Sequence, residues 1–410
     1  MRILVQKYGG TSVKGLERMR MVLERVQKAH AAGYKLVVAL SAMSGETNRL
    51  LGLAREFSSC PDPAELDALV TTGEQTSVAL FTMLAKDAGL RARSLLGFQI
   101  PITTNSNFCR ARIMEIDTQH LQSLLEDYDV LVVAGFQGVD CHGRLTTLGR
   151  GGSDTTGVAL AAALNAEVCE IYTDVNGVYT TDPNLCSNAR KMKRISYDEM
   201  LEFSSMGAKV LQIRSVELAK KYNVPVRVRS TFTDDPGTLV TSEDTEMEDV
   251  LVSGIAYDKD QCRITVRNVI DKPGVAASIF APIAEAGVLV DMIIQNTGRD
   301  GRTDMTFTIC RAHLDKTLEI LEQLRPVIGD EEVQHDLHVC KVSVIGVGMR
   351  SHAGVASTMF TILKKENINI LMIATSEIKI TCLIEEKYLE LAVRTLHDAF
   401  GLSEEPTKVC

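Results

Sequence analysis

A lysine followed closely by two glycines stands near the start of the chain, in the motif KYGGTS at residues 7–12. Strand-like residues precede the motif and an amphipathic stretch follows it. Glycines let backbone N–H groups approach an anion, and the amino-terminal end of a helix favours negative charge. Lys7, which we expect to be lined by solvent, adds a full positive charge. The motif therefore predicts an anion site, but it is not a P-loop, because there the lysine follows the glycines.

A second glycine-rich motif, GRGGSD at residues 149–154, precedes an alanine-rich helical stretch. It fails as a dinucleotide fingerprint because Asp154 stands where a glycine is needed. The amides of Gly151 and Gly152 can hold an anion, and Arg150 can grip a carboxylate through two hydrogen bonds. Asp154 can orient an ammonium or a lysine. This combination favours a site for a charged small molecule over an ordinary capped helix.

Four further motifs are weaker evidence for a binding site when each is considered alone. Ser41 and Thr47 of SAMSGETN (41–48) are hydrogen-bonding groups that are more often helix caps, and Glu74 of TTGEQ (71–75) is typical of a helix's first turn. Asp174 and Tyr179 of YTDVNGVYTTDP (172–183) suit the ribose and base of a nucleotide, or simply a turn. The lysine of GAK (207–209) gains weight only from its neighbours.

The elements that must position these groups alternate between apolar runs and amphipathic stretches up to about residue 240. The runs are LVVAL (36–40), VLVVA (130–134) and VCEIY (168–172), and helices are predicted at 17–31 and 154–164. Such alternation predicts a largely parallel sheet covered by helices. The polar loops follow the carboxyl ends of the strands, where ligands bind in open sheets of this class.

The last third of the chain contains an internal repeat with an offset of 80 residues. DKPGVAASIF at 271–280 matches SHAGVASTMF at 351–360 after an acidic linker at 241–249. The sequence pattern of each copy predicts a strand, a helix, two strands and a second helix. This is one strand short of the βαββαβ arrangement. The unassigned strand 250–257 precedes the first copy, and we expect it to complete the second copy, so that the two copies interlock.

Composition narrows the function classes. The 410 residues predict several domains, and the net charge of −9 disfavours nucleic acids and anionic membranes as partners. No apolar run is long enough to span a membrane and no signal pattern follows Met1, so we expect a cytoplasmic protein. The 10 cysteines form no CxxC pair and only 8 histidines accompany them, which predicts reduced thiols and no zinc site.

The order of the motifs resembles aspartate kinases of the amino-acid kinase superfamily, and the repeated tail resembles their paired ACT regulatory domains. The resemblance spans nearly all 410 residues. It implies an α/β fold with a largely parallel sheet sandwiched by helices, followed by two interlocking ferredoxin-like ACT domains. The implied boundaries are 1–245 for the catalytic domain, 262–337 for the first ACT domain, and 338–410, completed by strand 250–257, for the second.

The resemblance also implies roles for individual residues. Phosphoryl transfer would depend on Lys7, Asp154 and Lys209. The expected ATP-binding residues are Lys7, Tyr8, Gly9, Gly10, Thr173, Asp174, Tyr179, Asn184, Lys209 and Val210, with Asn184 standing where the family often has arginine. The expected aspartate-binding residues are Ser41, Thr47, Glu74, Arg150, Gly151, Gly152, Ser153 and Asp154.

The reaction implied is transfer of the γ-phosphoryl group of MgATP to the β-carboxylate of L-aspartate, the first step towards lysine, threonine and methionine. A carboxylate is already ionised at pH 7, so no general base is needed, and no residue is assigned to hold magnesium. Feedback by lysine, threonine or both would use the ACT domains, and these would also join a homo-oligomer. The expected effector-binding residues are Asp271, Ala276, Asp291, Gln295, Ala356, Asn369, Ile370 and Glu377.

Several alternatives remain. A kinase acting on glutamate, acetylglutamate or a nucleotide would share the glycine loops but would not be expected to carry the double repeat. A non-catalytic amino-acid sensor is disfavoured because Lys7, Glu74, Arg150 and Asp154 occur together. A nicotinamide-dependent dehydrogenase is disfavoured by the failed fingerprint, and a fusion with homoserine dehydrogenase is not expected because the sequence stops after the repeat.

Overall fold

The computed structural model describes residues 1–207, 210–243, 250–296, 301–328, 332–350, 352 and 354–404. The chain divides into two compact units, one made of residues 1–179 and 191–248, the other of residues 180–190 and 249–410. The sequence places residues 180–190 in the first domain, whereas in the structure they group with the second unit. Lys209, Ser351 and linker residues 244–249 lie outside the described residues.

The first unit is built on an eight-stranded sheet and a four-stranded sheet. Its strands are β1 (Ile3–Tyr8), β2 (Lys35–Leu40), β3 (Ala92–Leu95), β4 (Ile102–Thr104), β5 (Ile113–Ile116), β6 (Val130–Ala134), β7 (Gln137–Val139), β8 (Leu145–Thr147), β9 (Val168–Thr173), β10 (Arg194–Ser196), β11 (Val226–Ser230) and β12 (Thr238–Thr241). The larger sheet has the order β10-β12-β11-β9-β1-β2-β6-β3, and the smaller has the order β5-β4-β7-β8. In the larger sheet only β11 and β12 pair antiparallel among the described strands.

Helices cover the larger sheet because its central strands are apolar along their whole length. The helices are α1 (Leu16–Ala31), α2 (Glu46–Phe57), α3 (Pro63–Val70), α4 (Thr72–Asp87), α5 (Thr118–Asp127), α6 (Gly152–Ala163), α7 (Tyr197–Ser205) and α8 (Ile213–Tyr222). Helix α1 buries Met19, Val22, Leu23 and Val26, a spacing of three and four that forms one apolar face. Helix α6 is buried from Gly152 to Ala161, since small residues let it lie close to the sheet.

The carboxyl ends of four neighbouring parallel strands meet at one edge of the larger sheet. Backbone hydrogen bonds join the loops that leave them: Gly9 N–H donates to the Tyr172 carbonyl at 3.2 Å, and Ser41 N–H to the Tyr8 carbonyl at 3.1 Å. Gly135 N–H donates to the Leu40 carbonyl at 2.9 Å. The loops after β9, β1, β2 and β6 are therefore side by side at the edge that the sequence predicts.

The second unit contains one antiparallel sheet flanked by helices. Its strands are β13 (Gly254–Ile270), β14 (Val290–Gln295), β15 (Arg302–Ile309), β16 (Val333–Ile345), β17 (Met372–Thr375) and β18 (Lys379–Glu385), in the order β14-β15-β13-β16-β18-β17. Its helices are α9 (Val275–Glu285), α10 (Leu314–Gln323), α11 (Arg325–Ile328), α12 (Val355–Lys365) and α13 (Leu389–Ala399).

Two long strands interlock the repeat. The first part of β13, residues 254–258, pairs with residues 341–345 of β16, while residues 263–266 pair with residues 333–336. The first copy is completed by residues 333–336, which follow its last helix, and the second copy by residues 254–258, which precede the first copy. The interlocking predicted from the sequence is confirmed. The predicted strand 250–257 and the first predicted strand of the first copy are one strand, with register shifts between Asp258 and Arg263.

Each copy has its own hydrophobic core. In the first copy Ile264, Ile279 and Phe307 lie in the core between the sheet and α9, and in the second copy Val342, Met359 and Leu396 lie between the sheet and α12 and α13. A smaller cluster, formed by Met292, Val339, Met372 and Leu383, joins residues of both copies. The glycine turn before each first helix has the same backbone, with a φ of 95° at Gly274 and 114° at Gly354.

Membrane-spanning helices, metal clusters and disulfide bonds are all absent from the described residues. No described helix is both long enough and apolar enough to cross a membrane. No group of three or more His, Cys, Asp or Glu side chains in that part of the chain has the arrangement of a metal site. The nine cysteines there are free thiols, five of them buried.

Candidate active site

Lys7 and Asp154 join the two glycine-rich motifs. Lys7 lies near the end of β1 and Asp154 in the first turn of α6, and Lys7 Nζ lies 2.5 Å from Asp154 Oδ1. Each side chain is only 11% exposed, which contradicts the expectation of a solvent-lined lysine. The contact is a close ion pair, and the ammonium has three N–H donors, so donors remain for another partner.

The first glycine loop leaves room for little beyond backbone. A Cβ on Gly10 would lie 2.7 Å from the Ala42 carbonyl oxygen, so only glycine fits there. Ser44 N–H donates to the Gly10 carbonyl at 3.1 Å, which ties this loop to the loop after β2. Gly9 N–H is already used by Tyr172, whereas the N–H of Gly10 has no partner among the described residues. The amide available to an anion is therefore that of Gly10.

The second glycine motif forms the start of α6. Gly149 and Gly151 have φ values of 76° and 70°, and a Cβ on Gly151 would lie 1.9 Å from Cγ of Gln212. Gly152 and Ser153 begin the helix, where the helix dipole favours an anion. The N–H of Gly152 donates to the Gly149 carbonyl at 2.9 Å, so the expectation that the Gly152 amide can hold an anion is wrong. Arg150 is exposed, and its guanidinium has no partner in the described part of the chain.

Glu74 is a buried carboxylate with one unused oxygen. It is 3% exposed, and its Oε1 accepts the N–H of Ala42 at 3.0 Å. Its Oε2 is buried without a hydrogen-bond partner among the described residues. Burial raises the pKa of Glu74 to about 7. A cation placed against Oε2 would stabilise the charged form, so this position suits the ammonium group of an amino acid.

The loop after β2 carries the other predicted acceptor residues. Ser41 begins that loop and Thr47 lies in the first turn of α2, and both are partly exposed. Ser153 reaches the same edge of the sheet, since a Cβ on Gly135 would lie 2.9 Å from its Oγ. The structure therefore gathers Lys7, Ser41, Glu74, Ser153 and Asp154 around adjoining strand ends.

The predicted nucleotide residues are more dispersed. Thr173 Oγ1 donates to Asp174 Oδ1 at 3.0 Å after β9, and Tyr179 forms an isolated bridge with Lys191. The ring of Tyr8 is fully buried and stacks on Tyr172 with centroids 4.6 Å apart, so only its backbone is available to a ligand. Asn184 lies in residues 180–190 and its amide donates to Asp182 at 2.9 Å. Val210 is partly buried, and Lys209 lies outside the described residues.

Asp67 and Arg214 support the second glycine motif and were not predicted. Asp67, 1% exposed on α3, accepts hydrogen bonds from Thr147 N–H at 2.8 Å, Thr147 Oγ1 at 2.7 Å and Cys109 N–H at 2.9 Å. Arg214 donates to the carbonyls of Leu148 and Ala111. The signal for Asp67 is its spacing, since it falls on the buried face of α3 between Ala64 and Val70.

The predicted effector residues fall in two places of the second unit. Asp271, before α9, and Gln295, at the end of β14, lie together, with Gln295 Nε2 at 3.5 Å from Asp271 Oδ1. Asp291 forms an ion pair with Lys341, a 1% exposed side chain whose pKa is lowered by burial. The remaining positions differ in exposure and contacts: Ala276, Ala356 and Ile370 pack partly on the two cores, Asn369 is exposed, and Glu377 lies 3.6 Å from Arg350.

Comparisons with known proteins identify the family and the domains of the chain. Residues 2–230 match the amino acid kinase family, and residues 263–326 and 342–400 match ACT domains. An aspartate kinase of Pseudomonas putida is 56% identical over 403 residues, 98% of each chain. An aspartokinase of Helicobacter pylori is 51% identical over 407 residues, 98% of this chain and 100% of that one.

The fold is also that of solved enzymes. The structure of Escherichia coli aspartokinase III in complex with aspartate and ADP has a TM-score of 0.81 at 28% identity, covering 97% of this chain and 99% of that one. The same enzyme in complex with lysine and aspartate has a TM-score of 0.77. Because high identity extends over nearly the whole of the curated relatives, the chain belongs to the aspartate kinase family.

Proposed function

We propose that the protein transfers the γ-phosphoryl group of ATP to the β-carboxylate of L-aspartate, giving 4-phospho-L-aspartate and ADP. The observation that carries the proposal is the buried Lys7–Asp154 pair, which unites the two glycine loops at the carboxyl edge of the sheet. An anion held between the loops would meet an ammonium on one side and a helix amino terminus on the other. Family membership supports the same reaction.

Aspartate would bind through both of its ends. The α-ammonium group would lie against the unused Oε2 of Glu74, and the exposed Arg150 would grip the α-carboxylate. Ser41, Thr47 and Ser153 add hydrogen bonds from the same edge. The β-carboxylate would then face the phosphates, already ionised and able to act as the nucleophile without a general base.

Catalysis would consist of positioning and charge neutralisation. Two anions must approach each other, so the protein has to stabilise the charge that spreads over the transferring phosphoryl group. Lys7 and the Gly10 amide are placed for this, with Asp154 holding the Lys7 ammonium in position. We also assign Lys209, which lies outside the described residues, to the phosphates.

Magnesium would enter with ATP. Such an ion keeps water molecules and phosphate oxygens among its ligands. When bound it would neutralise charge on the phosphates. We assign no side chain as its ligand, and because ATP is the phosphoryl donor we propose a cytoplasmic location.

The ACT domains would make the enzyme sensitive to amino acids. The pair of Asp271 and Gln295 lies beside the amino terminus of α9, where a carboxylate is favoured, and we propose a threonine-type site there. The other two acidic residues have different surroundings, since Asp291 forms an ion pair with Lys341 and Glu377 forms one with Arg350. Two unequal sites favour joint inhibition by lysine and threonine. Strands β14 and β17 are the edges of the sheet in the described residues, and such edges suit assembly into a homo-oligomer.

An assay of ADP release tests the reaction. The purified protein with MgATP is expected to release ADP when L-aspartate is added and to give a hydroxamate when hydroxylamine traps the acyl phosphate. Glutamate, one methylene longer, would misplace the carboxylate and should be a poor acceptor. Equal kcat/KM for glutamate, or ADP release only with acetylglutamate or a nucleotide, would move the protein to another branch. No release with any acceptor would favour a sensor.

A further inference from the structure

The segment of residues 180–190 leaves the predicted nucleotide loop and belongs to the second unit. It forms the tip of a hairpin whose neck is held by paired backbones. Met192 N–H donates to the Val178 carbonyl at 2.9 Å, Tyr179 bridges Lys191, and Thr180 N–H donates to the Arg190 carbonyl at 2.8 Å. Tyr179 and Thr180 are consecutive residues of this neck, so the position of one restricts the other.

The second copy of the repeat holds this tip at separate points on β13 and α13. Ile255 N–H donates to the Thr180 carbonyl at 2.7 Å, and Tyr257 Oη donates to Asp182 Oδ2 at 2.7 Å. Arg394 Nε donates to the Leu185 carbonyl at 2.7 Å. These contacts join the tip to the strand that completes the second copy and to its last helix.

The most buried of these contacts is between Thr180 and His397. Both residues are 0% exposed, and Thr180 Oγ1 lies 2.9 Å from His397 Nε2. The same Oγ1 accepts the N–H of Arg190 at 3.0 Å, so it closes the neck and meets the helix at once. Burial lowers the pKa of His397, which favours the neutral imidazole, and the tautomer of the ring decides whether Nε2 or the hydroxyl donates in this contact. Its Nδ1 has no hydrogen-bond partner among the described residues.

Tyr257 and Asp182 form a second side-chain contact between the second copy and the tip. Although burial opposes it, hydrogen bonds from Tyr257 and Asn184 lower the pKa of Asp182. The side-chain amide of Asn184 is therefore occupied within the tip, at the position where the family often has arginine. Asn184 thus stabilises the tip from within, through Asp182. The second copy provides the contacts that the tip makes with residues outside itself.

We infer that His397 is a positioning residue for the nucleotide, acting through Thr180 on the neck that presents Tyr179. The inference rests on the proposed ATP site. It makes the last helix of the second copy part of the machinery that sets nucleotide affinity, although no residue of that helix belongs to a glycine loop. Loss of the Thr180–His397 contact should loosen the neck and weaken nucleotide binding, while aspartate binding near Glu74 stays unchanged.

Three variants test this. Thr180→Val removes the hydroxyl at nearly constant shape, His397→Phe removes the ring nitrogens, and His397→Gln can still hydrogen bond with Thr180. We expect KM for ATP to rise about fivefold to tenfold in His397→Phe, the effect of one buried hydrogen bond, and at least as much in Thr180→Val, whose hydroxyl also accepts the N–H of Arg190. The kcat and the KM for aspartate should stay within twofold of wild type. His397→Gln should restore most of the affinity. The double variant Thr180→Val/His397→Phe should be no weaker than the worse single variant, because the two share one contact.

Leu363→Ala provides the matched control, since Leu363 is buried in the same core but lies on α12. It should lower the melting temperature and leave KM for ATP unchanged. The inference is overturned if Thr180→Val and His397→Phe fold but keep wild-type KM for ATP, or if they lower kcat and raise both KM values as a general loss of structure would.

Calorimetric titration of ADP into the same proteins separates this inference from the proposed reaction. The Kd for ADP should rise fivefold to tenfold in His397→Phe, and at least as much in Thr180→Val, whether or not the enzyme turns over. If wild type releases no ADP with aspartate but the Kd difference appears, the proposed reaction fails and the positioning role stands. If wild type is an active kinase and all Kd values are equal, the positioning role fails alone.

Discussion

At the scale of single residues, the site depends on charges that are buried together. Lys7 and Asp154 neutralise each other's charge at a buried position where either charge alone would be destabilising. The buried Oε2 of Glu74 has no hydrogen-bond partner among the described residues, and a bound cation would neutralise its charge in the same way. The free protein therefore holds a carboxylate that is protonated below about pH 7. A substrate that brings an ammonium group completes the arrangement, which makes binding and protonation state depend on each other.

Lys7→Met should lower kcat by far more than tenfold, because the ammonium neutralises charge on the transferring group. It should also destabilise the fold by about 1–3 kcal/mol, since the Asp154 carboxylate loses its partner. Steady-state ADP release and thermal unfolding measure the two effects. The control Lys7→Met/Asp154→Asn should recover the stability but not the activity. Retention of more than a tenth of wild-type kcat, a barrier change of less than about 1.4 kcal/mol, would contradict the assignment.

Glu74 should make KM for aspartate fall as pH rises from about 5.5 to 7, because only the ionised carboxylate attracts the ammonium group. The limiting slope is tenfold per pH unit for one proton. The control Glu74→Gln should bind aspartate weakly at every pH. A pH-independent KM for aspartate in wild type would refute the role.

The Glu74 carboxyl also makes the stability of the fold depend on pH. Rising pH favours aspartate binding but lowers this stability. Because the folded-state pKa of Glu74 is raised, its contribution is favourable at low pH and is lost as pH rises from about 4.5 to about 7. Glu74→Gln should therefore be more stable than wild type at pH 8, by up to about 3 kcal/mol, and equal to it near pH 4.5. Denaturant unfolding at the two pH values measures the difference, and an equal loss of stability at both would contradict it.

At the scale of elements, helices and strands place the motifs by joining their loops. Helix α4 begins against the loop after β2, since a Cβ on Gly73 would lie 2.9 Å from Cβ of Ala42. Helix α3 holds β8, and thereby the segment leading to Arg150, through Asp67. Support of this kind is rigid because a buried carboxylate satisfies several donors at once.

Asp67→Ala should raise KM for aspartate and destabilise the protein by about 2–4 kcal/mol, because three donors lose their acceptor. Asp67→Asn should resemble wild type, since an amide can accept from the backbone donors and donate to the Thr147 hydroxyl. The control Glu65→Ala lies on the same helix with an exposed side chain and should change neither quantity. Equal KM values for Asp67→Ala and wild type would reduce Asp67 to a purely structural residue.

At the scale of the whole molecule, the repeat is one interlocked body rather than two separable domains. Strands β13 and β16 each run through both copies of the repeat, and the second copy is completed by residues 254–258, which precede the first copy. An effector that shifts one copy must therefore act on shared strands, and β13 also carries Ile255 and Tyr257, which hold residues 180–190. Regulation by binding requires different affinities for two arrangements of such a body.

Gln295→Ala should abolish or strongly weaken inhibition by threonine, alone or together with lysine, and leave activity without effector within twofold of wild type. The reason is loss of the side chain that meets Asp271 beside the α9 turn. Inhibition curves for each amino acid and for the pair measure this. The exposed control Glu319→Gln on α10 should keep wild-type inhibition. Unchanged inhibition in Gln295→Ala, or none in wild type by any pathway amino acid, would leave the repeat as an assembly device.

Much about this protein follows from the sequence by itself. The glycine loops, the parallel sheet, the repeat and its interlocking, and the family are all confirmed by the structure and the comparisons, because glycine turns, hydrophobic periodicity and repetition are properties of neighbouring residues. Tertiary structure alone decided the burial of Lys7, the pKa of Glu74, the hydrogen bonds of Asp67 and the attachment of residues 180–190. Each depends on partners distant in the chain, 32 positions for Glu74 and Ala42 and 217 for Thr180 and His397, and desolvation by such partners leaves no local pattern.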